Sequence, residues 1–277
     1  MIVGTRRLVG GRLVLLTAGA IVMVAPFAYM LATSFKQHAF VFEVPPQFIP
    51  KHPTVSNYTD AWSSNSFDRY FLNSVVVAGL TTVLSVLLAS MMAYAFARFR
   101  FPGRRLLFGL LLVGLMVPTM MLIIPQFLLA RRLGLLDSLA GLVVFYVGGT
   151  LALNTFLLRG FFESIPRELE EAMLVDGANA WTRYRKLIMP LSRPALATVA
   201  IFSFLASWDE FVWALTIIND PSKRTLPIAI ALFQGEHQTS WGLVFAASVI
   251  AVAPVIAVFL AAQRQFVSGI ATGAVKG

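Results

Sequence analysis

The 277-residue chain has no cysteine, which rules out disulfides and thiolate metal sites. Its three histidines, His38, His52 and His237, are isolated from one another and read as loop positions rather than a ligand set. Acidic residues are scarce: thirteen stand against twenty-two lysines and arginines. No Gly-x-x-x-x-Gly-Lys-[Ser/Thr] loop occurs, so the chain itself is not expected to hydrolyse ATP. Also missing are a His-Glu-x-x-His pair and a serine-centred nucleophile elbow. The apolar–polar alternation of a transmembrane β-barrel is absent too. These absences leave little for a catalytic reading. An acid–base pair at Asp209 and Glu210 is the nearest approach to one, yet adjacent helical residues point about 100° apart and do not readily converge on one bond.

What the chain has instead is oil. Hydrophobic residues make up 58% of it, and the mean hydropathy is +0.77, values of an integral membrane protein. Six apolar runs, at 13–32, 71–96, 106–130, 138–158, 195–218 and 241–262, are long enough to cross a bilayer as helices. Backbone polar groups in hydrocarbon must be bonded internally, which favours helices. The first run is too long for a cleavable signal and leads into a loop without a small-residue cleavage site. The expected fold is therefore all-α and integral to the membrane, with six transmembrane helices in one domain covering 1–277.

Charge orients these spans. Fifteen of the twenty-two basic residues fall on one side, in the N-terminal segment, at 98–105, within 159–194 and in the tail 263–277. Positive-inside asymmetry puts both termini and the 159–194 loop in the cytoplasm. Arg131 and Arg132 dissent, but the cluster at 98–105 outweighs them. The net charge of +9 thus reflects loop orientation and membrane lipid, not nucleic acid. Two outer loops, 34–70 and 219–240, are either plain connectors or surfaces for an extracytoplasmic partner. Pro26, Pro118, Pro125 and Pro254 lie within spans, where they either kink helices near a pathway or are tolerated for packing.

The hydrophilic stretch 159–194 organises the rest. Pro166 suits a first helical turn, and Glu168, Glu170 and Glu171 complement its dipole. Leu169, Ala172 and Met173 give this short helix one apolar face. Asp176-Gly177 supplies a stop, with Gly177 suited to a left-handed position. Asn179 is placed to cap a second short helix carrying Trp181, Tyr184, Leu187 and Ile188, which Pro190 and Pro194 are expected to break. Two amphipathic helices about a glycine form a docking surface.

Glu171-Ala172-Met173, then Gly177, Leu187, Met189 and Pro190, match the E-A-A-x3-G-x9-I-x-L-P loop of ABC importer permeases, with apolar exchanges at 173, 187 and 189. Phe71-Leu72-Asn73-Ser74, Phe101-Pro102-Gly103, Trp208-Asp209-Glu210-Phe211 and the C-terminal tail resemble the maltose-type, MalG-like class of that family over a core of 71–262. The resemblance implies the MetI/MalG-like type I importer permease fold, in the cytoplasmic (inner) membrane of a prokaryote. It implies a second, MalF-like permease, an ABC ATPase homodimer and an extracytoplasmic solute-binding protein, with ATP and Mg on the ATPases and no cofactor on this chain. It makes Glu171, Ala172, Met173, Asp176, Gly177, Ala178, Leu187 and Pro190 the ATPase-coupling residues, and it implies that the tail reaches toward the ATPases. The cargo it implies is a sugar or oligosaccharide, with glycerol-phosphate diesters or polyols as the alternative; an intramembrane enzyme or a stand-alone channel is the reading from a different class.

Asn73, Trp208, Asp209, Glu210 and Phe211 are the candidate pathway or subunit-interface residues. Asp209 and Glu210 are the only acidic residues in an apolar run, where charge is costly. A polar seam against a partner subunit, a cavity or gating role, and direct sugar contact all remain open for them. Trp208 and Trp213 either stack on a sugar ring or anchor the membrane interface.

Overall fold

A computed structural model of the chain describes residues 3–36, 49–50, 52–64, 66–234 and 239–274, with side-chain surroundings defined between 12 and 263. His38, Lys51, His237, Gly235, Glu236 and the last three residues lie outside the described residues, as does most of the proline-rich 44–53 segment.

The chain resolves into two compact units, one of 1–68 with 229–253 and one of 69–228 with 254–277. In the first, α1 (Val3–Ser34) runs as a long apolar helix through Pro26. α2 (Ser56–Ser63) is tied to its end: the Asn57 side-chain amide donates to the Ser34 and Lys36 carbonyls, each at 2.8 Å. Gly242 is needed beside it, since a Cβ there would meet the Asn57 side-chain oxygen at 2.8 Å. The segment after α1 is thus pinned by polar bonds at Asn57 and by the Ser34–Tyr58 hydroxyl pair at 2.6 Å.

The second unit holds most of the remaining spans. α3 (Phe67–Arg98) begins four residues before the apolar run suggested. α4 (Arg104–Gly114) and α5 (Ile123–Arg132) replace the expected continuous third span. With the 3₁₀ turn Thr119–Leu122 they form a pair bent by 96°. Pro118 stands at the bend and Pro125 in the first turn of α5, so neither interrupts a formed hydrogen-bond ladder. α6 (Leu139–Ser164) is straight enough and long enough to cross, about 39 Å at helical rise.

α7 (Arg167–Val175) and α8 (Ala180–Arg183) follow, and α8 continues through a π-turn, Tyr184–Ile188, into α9 (Met189–Leu191). Pro190 therefore does not break this helix. The widened turn, closed by Met189 N–H to the Tyr184 carbonyl, absorbs a residue that cannot donate to a regular ladder. The chain turns only at Ser192, by 80°, into α10 (Arg193–Trp208), with Pro194 in its first turn. The fifth apolar run is also discontinuous: α10 stops at Trp208, and α11 (Val212–Ile217) restarts after three residues. α12 (Leu226–Leu232) and α13 (Trp241–Ala274), which passes through Pro254, complete the chain.

Four helices are individually long and apolar enough to cross a membrane, and up to six spans result if each bent pair counts as one. The large exposed apolar surface of α1, α3 and α4 faces lipid or a partner in a protein of this kind. Two apolar clusters hold the second unit. One gathers Val77, Leu142, Tyr146, Trp213 and Ile217. The other gathers Ala93, Tyr94, Leu158, Phe162, Tyr184 and Ile188 beneath the polar loop.

Candidate functional site

The polar loop folds into a rigid elbow. α7 ends in a Schellman motif: Ala178 N–H donates to the Met173 carbonyl at 2.9 Å and Gly177 N–H to the Leu174 carbonyl at 3.0 Å. Gly177 sits at φ +77°, where a side chain is disfavoured. The Asn179 side chain then accepts from Thr182 N–H at 2.8 Å and starts α8. Both ends of the joint are thus capped within four residues.

What fixes the elbow to the spans lies one residue away from the glutamate the sequence singles out. Glu170 is buried, and its Oε1 lies 2.5 Å from Arg98 Nε in an ion pair whose side chains are 10% and 7% exposed. Arg98 also donates to the Ile165 carbonyl at 2.8 Å. The Tyr94 hydroxyl reaches both Glu170 Oε2 and the Ala180 carbonyl, each at 3.4 Å. Tyr94 packs on Tyr184 with ring centroids 5.4 Å apart, and the Tyr184 hydroxyl pairs with Ser90 at 2.7 Å. α3 therefore grips α7, α8 and the π-turn together. Sequence reasoning missed Arg98, Tyr94 and Glu170. No local signal separates Glu170 from Glu171, because adjacent helical residues about 100° apart can both be exposed, as Glu168 and Leu169 are.

Glu171 is exposed, together with Ala172, Asp176 and Gly177, while Met173, Ala178 and Leu187 are half-buried and Pro190 is exposed. The apolar stripe of α7 looks outward rather than into the protein: Leu169, Leu174 and Val175 are exposed, Val175 by 89%, and Trp181 on α8 joins them at 56%. The elbow presents grease and one carboxylate from a stiff support.

The second polar constellation lies at the α10–α11 break. Glu210 turns inward and stitches the break. It accepts from Trp213 N–H at 2.7 Å, from Ala214 N–H at 3.0 Å and from the Tyr146 hydroxyl at 2.6 Å. Asp209 is exposed and Phe211 half-buried. Trp208 and Trp213 are buried, the former stacked on Phe204 at 5.3 Å and the latter against Phe145 at 4.9 Å. Neither indole is free to stack on a sugar or to anchor at an interface, because each fills its own unit's interior. Asn73 is likewise committed: its amide donates to the Ser222 and Arg224 carbonyls at 3.0 and 2.8 Å, fastening the loop that precedes α12. In that loop Ser222, through its hydroxyl and its N–H, holds the Asp220 carboxyl below the usual carboxylate range. The structure thus separates the pathway candidates, leaving Asp209 as the one with an exposed polar head.

The described residues thus place a capped, solvent-facing elbow between two apolar helical segments. Residues 85–272 match the family of binding-protein-dependent transport system inner membrane components, and the chain belongs to that family. It is 35% identical to the diacetylchitobiose uptake system permease protein NgcG of Streptomyces coelicolor, over 94% of this chain and 86% of that one. It is 37% identical to the trehalose/maltose transport system permease protein MalG of Thermococcus litoralis, over 95% and 97%. Among solved structures it resembles a chain of a bacterial ABC transporter involved in import of the acidic polysaccharide alginate. That match has a TM-score of 0.81 at 28% identity, covering 95% of this chain and 98% of that one.

Proposed function

We propose that this chain is one permease half of a binding-protein-dependent ABC importer for a sugar or oligosaccharide, moved by partner ATPases that grip its elbow. The observation that carries this reading is the elbow itself. An exposed apolar stripe beside Glu171, mounted on a buried ion pair and a glycine-capped joint, suits a groove on a soluble partner. The carbohydrate class is supported by the names of relatives that match over nearly the whole chain.

In this reading ATP, with Mg, is bound and split on an ATPase pair, and this chain does no chemistry of its own. Closure of that pair pushes α7 and α8. The grip of α3 on both, through Arg98 and Tyr94, passes the push to the spans as a body rather than losing it in a loose loop. A second, MalF-like permease completes the pathway, and a solute-binding protein delivers cargo from outside. Both termini and the elbow are cytoplasmic. Single cysteines replacing Ser63 and Ser164 test that orientation with an impermeant maleimide on intact cells. Labelling is expected at position 63 alone, and labelling at 164 alone would reverse the arrangement.

The coupling test uses the reconstituted complex, measuring uptake against ATP turnover. Glu171→Ala removes a charge-assisted contact of about 1.5–3 kcal/mol and is expected to lower uptake per ATP at normal complex yield. Gly177→Val is expected to do worse, because a β-branched residue is strongly disfavoured at positive φ. Wild-type stoichiometry in both variants would sink the assignment.

A further inference from the structure

The elbow end of the molecule carries a cleft that the coupling geometry leaves unused. Its volume is about 600 Å3, and Phe108, Phe156, Phe161, Arg159 and Glu163 are among its lining residues. A second hollow of about 370 Å3 adjoins it through Phe108 and Arg159 and brings in Arg104 and Arg105. The Arg159 guanidinium lies over the Phe108 ring, 3.9 Å from its centroid, and its Nε is 2.9 Å from Glu163. Arg104 approaches the same carboxylate at 3.6 Å. One carboxylate therefore serves two arginines. Arg105 is exposed and has no acidic partner among the described residues. Three cations against one anion leave the rim strongly positive.

The walls change character along the helices. Leu153 and Phe156, one turn apart on α6, are exposed, and Phe156 belongs to the cleft's lining. A cationic rim thus runs directly into an apolar wall where two spans enter the membrane. A soluble anion would use the arginines and leave that wall wet. A neutral sugar would have no use for the charge.

We propose that this cleft binds an anionic phospholipid, its headgroup phosphate at Arg104 and Arg105 and an acyl chain along Phe156 and Leu153. Basic pockets between spans on the cytoplasmic side are where such headgroups are held. The inference rests on the proposed orientation only for the choice of leaflet. Its consequence is local: the cleft abuts Ser164, two residues before Pro166 and the start of α7, so an occupying lipid would brace the root of the elbow.

The test reconstitutes the full importer complex in phosphatidylcholine nanodiscs containing spin-labelled phosphatidylglycerol or spin-labelled phosphatidylcholine. The motionally restricted fraction is read by electron spin resonance. Wild type is expected to restrict phosphatidylglycerol preferentially. Arg105→Gln should cut that preference roughly fivefold, and Arg105→Lys should keep it. Arg100→Gln, which removes an exposed charge four residues before Arg104 and outside the cleft's lining, should also keep it. Glycerol 3-phosphate should fail to displace the lipid. Equal restriction of both lipids would overturn the proposal, as would an Arg105→Gln variant that behaves like wild type. A loss of equal size in Arg100→Gln would mean diffuse attraction rather than a site, and displacement by glycerol 3-phosphate would mean a soluble-anion site. Poor recovery of the second permease with Arg105→Gln, at unchanged lipid preference, would make the face a subunit contact. Uptake is scored separately: full transport without lipid preference sinks only this inference, whereas lipid preference without transport sinks only the importer reading.

Discussion

Two pairs of neighbouring carboxylates, Glu170-Glu171 at the elbow and Asp209-Glu210 at the α10–α11 break, are put to the same use. In each pair one carboxylate turns inward and stitches an interruption in the helices, and its neighbour stays outside. A rotation of about 100° per helical residue makes this division natural. The stitches differ in chemistry. Glu170 answers a buried cation, Arg98, whereas Glu210 is met by a tyrosine hydroxyl and two backbone N–H groups. A charge pair binds two elements at a point and leaves each costly to expose alone. A carboxylate on the first amides of α11 instead starts that helix, as an N-terminal cap does. The elbow is therefore built as a clamp and the break as a cap, and the two should fail differently.

The clamp should show the largest effect. Glu170→Ala leaves Arg98 as a buried, uncompensated charge with, among the described residues, the Ile165 carbonyl as its remaining partner, a situation that costs about 3–5 kcal/mol. A clear drop in detergent-solubilised thermal midpoint is expected, with Glu170→Gln falling between the two. An unchanged midpoint in Glu170→Ala would mean that the ion pair does not hold the elbow, and the comparison with Glu210 would collapse.

The same pairs show where sequence reading stops. Apolar runs located the spans because hydropathy reports length and composition. It says nothing of direction, so the 96° bend between α4 and α5 was hidden inside one oily stretch. The elbow joint was legible because glycine and asparagine act through their own backbone neighbourhood: Gly177 adopts the left-handed position and Asn179 caps α8, as their residue types require. Which glutamate of a pair turns inward was not legible, because the decision belongs to Arg98, some seventy residues away in sequence. The burial of Trp208 and Trp213 likewise follows from Phe204 and Phe145, not from anything local to the Trp-Asp-Glu-Phe patch.

The cap should fail more gently than the clamp. Glu210→Ala strips acceptors from two backbone amides and the Tyr146 hydroxyl, a loss of about 1–3 kcal/mol when such groups stay unsatisfied. Glu210→Gln keeps one acceptor oxygen but sets an amide nitrogen where the other stood, so it should recover only part. Thermal unfolding of both variants, beside Glu170→Ala, ranks the two sites directly. A Glu210→Ala drop larger than that of Glu170→Ala would invert the assignment of clamp and cap.

The smallest intrinsic effect is expected at Asp209, and for that reason it is the most discriminating. Its side chain is exposed and has no side-chain hydrogen bond or ion pair among the described residues, so substitution should shift the stability of the isolated chain by less than about 0.5 kcal/mol. Any larger consequence must come through a partner or the cargo. If Asp209 forms a polar seam with a second permease, Asp209→Asn keeps hydrogen-bonding capacity and assembles, whereas Asp209→Leu strands the partner's polar group and lowers recovery of that subunit. If Asp209 lines the route of the cargo, both variants assemble and only uptake falls. Co-purification yield and uptake, measured on the same preparations, separate these outcomes. A marked loss of thermal stability in Asp209→Asn alone would contradict both, because it would mean that the outward carboxylate of this pair is holding the fold after all.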